Sequence, residues 1–189
     1  MIAAAVLLVA FAVWVAWIYN GFIKLQQRAH QAWSDIDAQL KRRHDLVPAL
    51  VETVKGYAGH EKRTLEETVK RRSAAVVMQG SEWDAINRTE RENLLARSLR
   101  GLFALAEAYP DLKASQRFGD LQQQLADIEN DLQHARRYYN AVVRDLNTAL
   151  SKFPNLLVAR FFAFRPREFF ELDSPLERQA AVVDLGTAS

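Results

Sequence analysis

FGDLQQQLADIENDLQHARRYYNAVVRDLNTAL, residues 118–150, is the stretch whose spacing decides the fold. Its apolar positions are Phe118, Leu121, Leu125, Ile128, Leu132, Ala135, Tyr139, Val142, Leu146 and Leu150, three or four residues apart throughout. That is a sustained helical stripe close to a heptad repeat. A stripe on a helix of about 35 residues is ~50 Å long and has to be covered by other helices along its length. Phe153-Pro154 closes the helix, because proline cannot continue the hydrogen-bond ladder.

Working outward, the same period recurs. Ile86, Leu94, Leu95, Leu99, Leu102, Phe103 and Ala106 predict a helix over about residues 82–108, ended by Tyr109-Pro110-Asp111. Leu65, Val69, Ala74 to Val77 and Met78 carry another helix to Gln79, where Gly80 stops it and Ser81 with Asp84 starts the next. Gly56 and Gly59 either permit close packing or mark a simple helix end. Nearest the N-terminus, Phe22, Leu25, Ala29, Ala32, Ile36 and Leu40 form a further stripe, with Trp33 beside it. It continues past Pro48 as Val47, Leu50, Val51, Val54, Tyr57 and Ala58. Two structures fit there. Either the chain turns at residues 43–47, with Asp45 capping a new helix, or one long helix kinks at Pro48. The turn is preferred, because the residue before a proline avoids the helical region. No segment shows strict strand alternation. The expected fold is all-α: an N-terminal transmembrane helix followed by an antiparallel four-helix bundle of long helices.

The transmembrane segment is residues 1–23, which carry no charge before Lys24. About 20 apolar residues span a bilayer. Leu7, Leu8 and Phe11 would face lipid, with Trp14, Trp17 and Tyr19 gathered toward the headgroups. A cleaved signal peptide would carry a basic start and a shorter apolar run. A soluble core helix is usually shorter too. About 165 residues remain, enough for one domain over residues 24–172, with 173–189 read as a flexible tail. Asn20-Gly21 is a weak point between anchor and bundle.

Composition narrows the chemistry. There are 7 Gly and 5 Pro, which suits a few long helices. Zero Cys removes disulfides, thiolate metal sites and thiol nucleophiles together. A net charge of +2 with interleaved acids gives no nucleic-acid signature.

Several stretches together resemble the LemA family. They are Ala32-Trp33-Ser34-Asp35-Ile36-Asp37, Leu40 through Pro48 with its Arg-Arg-His-Asp-Leu-Val-Pro run, Leu50 through Ala58, and His60-Glu61. Residues 107–113, Arg136 to Asn140 and Phe153-Pro154 match as well. The resemblance covers about residues 22–171. It implies a single-pass bacterial membrane protein with a four-helix bundle domain, and it brings no agreed catalytic residues to transfer.

Carboxylate-bridged metal chemistry in a bundle needs paired Glu-x-x-His motifs. Three residues before the histidines stand Gln27, Lys41, Tyr57 and Asp131, so only Asp131 with His134 approaches the pattern. An enzyme using bundle acids and His134 is therefore the weaker alternative, and no cofactor is expected. His60-Glu61 are adjacent on a helix and point about 100° apart. Lys41-Arg42-Arg43-His44-Asp45, joined by Lys55 and Lys62-Arg63, is the densest basic cluster. Lys41, Arg42, Arg43, Asp45 and Lys55 are the candidate partner-binding residues. A straight helix from Ile23 would carry Lys41 ~27 Å beyond the membrane, over two Debye lengths, which favours a protein partner over lipid. Lys70-Arg71-Arg72 reads as a solvated face paired with Glu66 and Glu67. Leu156 to Phe164, then Phe169-Phe170, reads as a short helix plus an extended segment over one bundle end. The sharper alternative is an aromatic patch that docks on membrane and serves membrane remodelling or envelope stress.

The expected role is an interaction or scaffold module, anchored to the bilayer by residues 1–23, with a homo-oligomer left open. Lys24, Arg28 and Lys41–Arg43 follow the span and no side-chain cation precedes it, so positive-inside places the bundle in the cytoplasm.

Overall fold

The computed structural model describes residues 1–57, 62–76 and 85–170. Gly59, His60-Glu61, the boundary at Gly80-Ser81 and the tail from Asp173 lie outside the described residues. Among the described residues there are six helices and no strand. They are α1 (Ile2–Tyr57), α2 (Lys62–Val76), α3 (Ala85–Ala106), α4 (Pro110–Lys113), α5 (Gln116–Ser151) and α6 (Asn155–Phe161).

The fold turns on α1, a single helix of 56 residues with Pro48 inside it. The preferred turn at residues 43–47 is absent. Pro48 has no N–H to give the His44 carbonyl, which would ordinarily orphan that oxygen. Here Arg72 of α2 donates from Nε to the His44 carbonyl at 2.8 Å. A side chain from a neighbouring helix replaces the missing backbone donor, so the helix passes through the proline. Asn20-Gly21 does not interrupt it either. A Cβ placed on Gly21 or Gly56 would meet nothing within 4 Å. Gly56 therefore serves no close packing, and it sits one residue before α1 ends at Tyr57.

α5 runs antiparallel to α1, and the two stripes meet in three successive cores. The distal core joins Val47, Leu50 and Val54 of α1 to Leu65, Leu95, Leu99, Leu102 and Phe118. Here α1, α2, α3 and α5 form the four-helix bundle, with α4 in the connection from α3 to α5. The middle core packs Trp33, Ile36 and Leu40 against Leu132, Tyr139 and Val143. The proximal core packs Ile18 and Phe22 against Leu146, Leu150, Val158 and Ala159. Ile18 is 4% exposed and Phe22 1%. The last turns before Lys24 thus belong to the bundle core, and a division at 23/24 cuts through both a helix and a core.

After α6 the chain turns back and lies as an extended strap, residues 164–170, between α1 and α5, the bundle-end cover expected from residues 156–170. Asn147 exchanges two hydrogen bonds with the Arg167 backbone, both 2.9 Å. Asn140 does the same with Phe170, at 3.0 and 2.9 Å. Seven helical residues and three extended residues each cover ~10 Å, so the two clamps match in spacing. Between them the Tyr139 hydroxyl donates to the Glu168 carbonyl at 3.1 Å. Phe170 is then fully buried, with its ring 5.7 Å from Trp33.

Candidate functional site

The N-terminal segment is the first candidate. α1 is the one helix among the described residues long and apolar enough to cross a membrane, and 6% of its apolar window is buried. A core helix of this bundle would bury most of such a window, because apolar area removed from water is what holds it in place. Leu7, Leu8, Phe11 and Trp17 are exposed. Trp14 is the least exposed of the expected lipid-facing side chains up to Trp17, and its ring lies 5.8 Å from Phe11. Tyr19 differs: its ring packs 4.9 Å from Phe162 and 5.5 Å from Phe164.

The second candidate, the basic cluster, does not stay together. Lys41, Arg42, Asp45 and Lys55 are exposed, whereas Arg43 is fully buried and His44 nearly so. Successive helical side chains rotate by about 100°, so a run of five neighbours cannot share a face. Arg43 is therefore not a surface residue as expected; it belongs to a charged layer between the middle and distal cores. Its guanidinium bridges two helices, Nη2 to Glu92 of α3 and Nη1 to Glu129 of α5 at 2.8 Å. His44 Nε2 lies 2.9 Å from the second oxygen of Glu92. The planar fork of arginine suits this task, since it can meet carboxylates from two directions at once. Burial opposes the charge on Arg43, but Glu92 and Glu129 overcome it and hold its pKa above the ordinary value. Burial also opposes charge on Glu92; the hydrogen bond to His44 and the charge of Arg43 win and hold that carboxyl below its usual range. Arg43 and Glu92 are both ionised at neutral pH, and each is the condition for the other's burial.

The remaining candidates are engaged separately. Asp131 lies 3.9 Å from Arg42, and His134 Nδ1 is 3.0 Å from Arg137 Nη2. Both are exposed. Among the described residues no group of three or more His, Asp or Glu side chains is placed to hold a metal ion. Glu67 pairs with Arg71 at 2.6 Å one turn on, as the solvated-face reading expects. Arg72 departs from that reading and turns inward to His44.

Comparison with known proteins settles the family. The LemA family pattern matches residues 32–185, most of the chain. The chain belongs to the LemA family. A relative named magnetosome protein MamQ, from Magnetospirillum gryphiswaldense, is 24% identical over 193 residues, covering 90% of this chain and 71% of that protein. A protein named LemA from Metamycoplasma hominis is 26% identical over 142 residues, covering 75% of this chain and 63% of that protein. The LemA match takes in the charged layer, the strap and the stripes of α1 and α5 from Ala32 on, while the apolar segment precedes it.

Two residues of the layer carried a readable signal. Arg43 falls between Leu40 and Val47 at spacings of 3 and 4, and Glu92 precedes Leu95 and Leu99 at 3 and 4. Each is a charge in a core position, and such a charge needs a buried partner of opposite sign. Glu129, between Leu125 and Leu132 at spacings of 4 and 3, and Arg72, between Val69 and Val76 at 3 and 4, carry the same mark, blurred because Ile128 beside Glu129 already fills the stripe and Arg72 lies within a basic run.

Proposed function

We propose that this LemA-family protein is a membrane-anchored helical bundle acting as a protein-interaction or scaffold module at the bacterial cell envelope. The observation that carries this reading is the division of labour along α1. Its first part is apolar and bare, and the same helix continues into all three cores. The apolar segment within residues 1–23 inserts in the inner membrane as a single pass, its last turns at Ile18 and Phe22 held in the proximal core at the bilayer surface, and the rest of the bundle lies on the cytoplasmic side. Because α1 is unbroken, Lys41 stands ~27 Å along the helix from Ile23, beyond the reach of headgroup charge. Lys41, Arg42, Asp45 and Lys55 then face a protein partner rather than lipid.

Crosslinking in cells followed by partner identification tests this, with Lys41→Glu/Arg42→Glu as the probe variant. Both side chains are exposed, so the exchange leaves stability within ~0.5 kcal/mol. Arg43 is left intact, since its loss would unfold the layer and mimic a lost partner. Recovery of defined partners by the wild type and their loss in the variant is the expected result; identical recovery from both sinks the interface. A C-terminal alkaline phosphatase fusion that is active, beside a dark fluorescent-protein fusion, would reverse the orientation.

A further inference from the structure

We infer that the α5–α6 end of the bundle is itself a membrane-docking surface, seated in the interface of the bilayer that α1 enters. The inference rests on the anchor proposed above and adds a second point of lipid contact. α6 is apolar nearly all round: Leu156, Leu157, Val158, Ala159 and Phe161, broken by Arg160. Only one side is used inside the protein, where Val158 and Ala159 close the proximal core. The other side presents Leu157 at 59% exposure and Phe161 at 84%, beside Phe153 at 80% in the preceding turn and Phe162 at 44%. A short helix that is hydrophobic on every face belongs in a core or in lipid, and half of this one has no core.

Height along α1 identifies the occupant. The first charge of the chain is Lys24. α6 and its turn pack on Ile18, Tyr19 and Phe22, all before that charge. Tyr19, edge-on to Phe162, stands ~7 Å nearer the bilayer centre than Lys24 along the helix. A span ending at Lys24 therefore draws the Phe161–Phe162 edge to the headgroup–acyl boundary, where interfacial apolar side chains bury about 5–10 Å. Trp17, on the same stretch of α1, is also bare, at 76% exposure. Charge agrees: residues 152–167 contain Lys152, Arg160, Arg165 and Arg167 and no acid, which suits anionic headgroups.

The chain has no cysteine, so single labels can be placed without background. Full-length Phe11→Cys, Phe161→Cys and Gln122→Cys, each carrying an environment-sensitive fluorophore, are reconstituted in vesicles of equimolar phosphatidylcholine and phosphatidylglycerol. All three positions are exposed, so the fold tolerates them. Labels at 11 and 161 are expected to lose most of their emission to doxyl-labelled lipid and to resist aqueous iodide, with 122 behaving oppositely. A label at 161 open to iodide, while 11 is in lipid, overturns the docking and leaves the anchor standing. Protection at 161 without doxyl quenching means that protein, including a second copy, covers the patch, and also overturns it. A label at 11 in water removes the anchor and the docking together.

Discussion

Replacing Arg43 by Met is the sharpest test of the charged layer. The exchange keeps an unbranched apolar stem and removes the guanidinium. Glu92, fully buried, then loses the charge that balances it, while Glu129, with 39% of its side chain exposed, can turn to water. Removing one partner of a buried pair costs about 3–5 kcal/mol. His44 still faces Glu92, so the lower half of that range is expected. At roughly 2–4 °C per kcal/mol for a chain of this size, the melting temperature of the detergent-solubilised protein should fall by about 6–15 °C, followed by circular dichroism at 222 nm. Arg43→Met/Glu92→Met should recover most of the loss, because two apolar side chains replace two mutually dependent charges. Acid sharpens the test. Glu92 has a lowered pKa in the fold, so its contribution is full above the ordinary carboxylate value and is lost as pH falls through the lowered one. Without Arg43 that carboxyl protonates more readily, so the gap between wild type and variant should narrow as pH drops from 7 toward 4. A single variant as stable as wild type, or a double variant no better than the single, refutes the coupling.

Three further outcomes follow from other parts of the fold. Arg72→Met should cost about 1–3 kcal/mol by stranding the His44 carbonyl. In a Pro48→Ala background, where residue 48 regains its N–H, the same exchange should cost far less, and equal costs by denaturant titration would contradict the replacement of one donor by the other. Asn140→Leu removes both hydrogen bonds that clamp Phe170. Loosening by about 1–3 kcal/mol should speed limited trypsin cleavage after Arg167 roughly 5- to 150-fold, and an unchanged rate would place the strap's stability elsewhere. A truncation that starts at Ile18 should melt higher than one that starts at Lys24, by the ~3–6 kcal/mol that burying Ile18 and Phe22 contributes; equal melting temperatures would remove them from the core.

Much of this architecture is legible in the stripes. α5 was expected from Phe118 to Leu150 and runs from Gln116 to Ser151. Tyr109-Pro110 ends α3 and Phe153-Pro154 ends α5 because a missing N–H is a local fact that needs no tertiary knowledge. Pro48 shows the limit of the same rule. Its local preference was overridden by Arg72, a donor 24 residues further on that no window around the proline contains. The basic run at 41–45 misled in a related way. Counting charge along the chain treats neighbours as one patch, while the helix sends Lys41 and Arg42 outward and Arg43 into the core. The Asn140 and Asn147 clamps were invisible because their partners are backbone atoms of another segment, which any sequence supplies.

The charged layer has a consequence for alignment apart from its strength. The stripe of α5 is nearly degenerate: Leu125, Leu132, Tyr139 and Leu146 recur every seven residues. Sliding α1 along it by one repeat, ~10 Å, would present another large apolar side chain to each core position. Arg43 and Glu129 break that degeneracy, because a slide sets Arg43 beside the apolar neighbours of a different layer and leaves Glu129 facing an apolar stretch of α1. One ion pair thus acts as a vernier mark on two otherwise repetitive rods, as a single polar contact fixes the mating of a coiled coil. It also sets which turns of α1 emerge bare from the far end of the bundle.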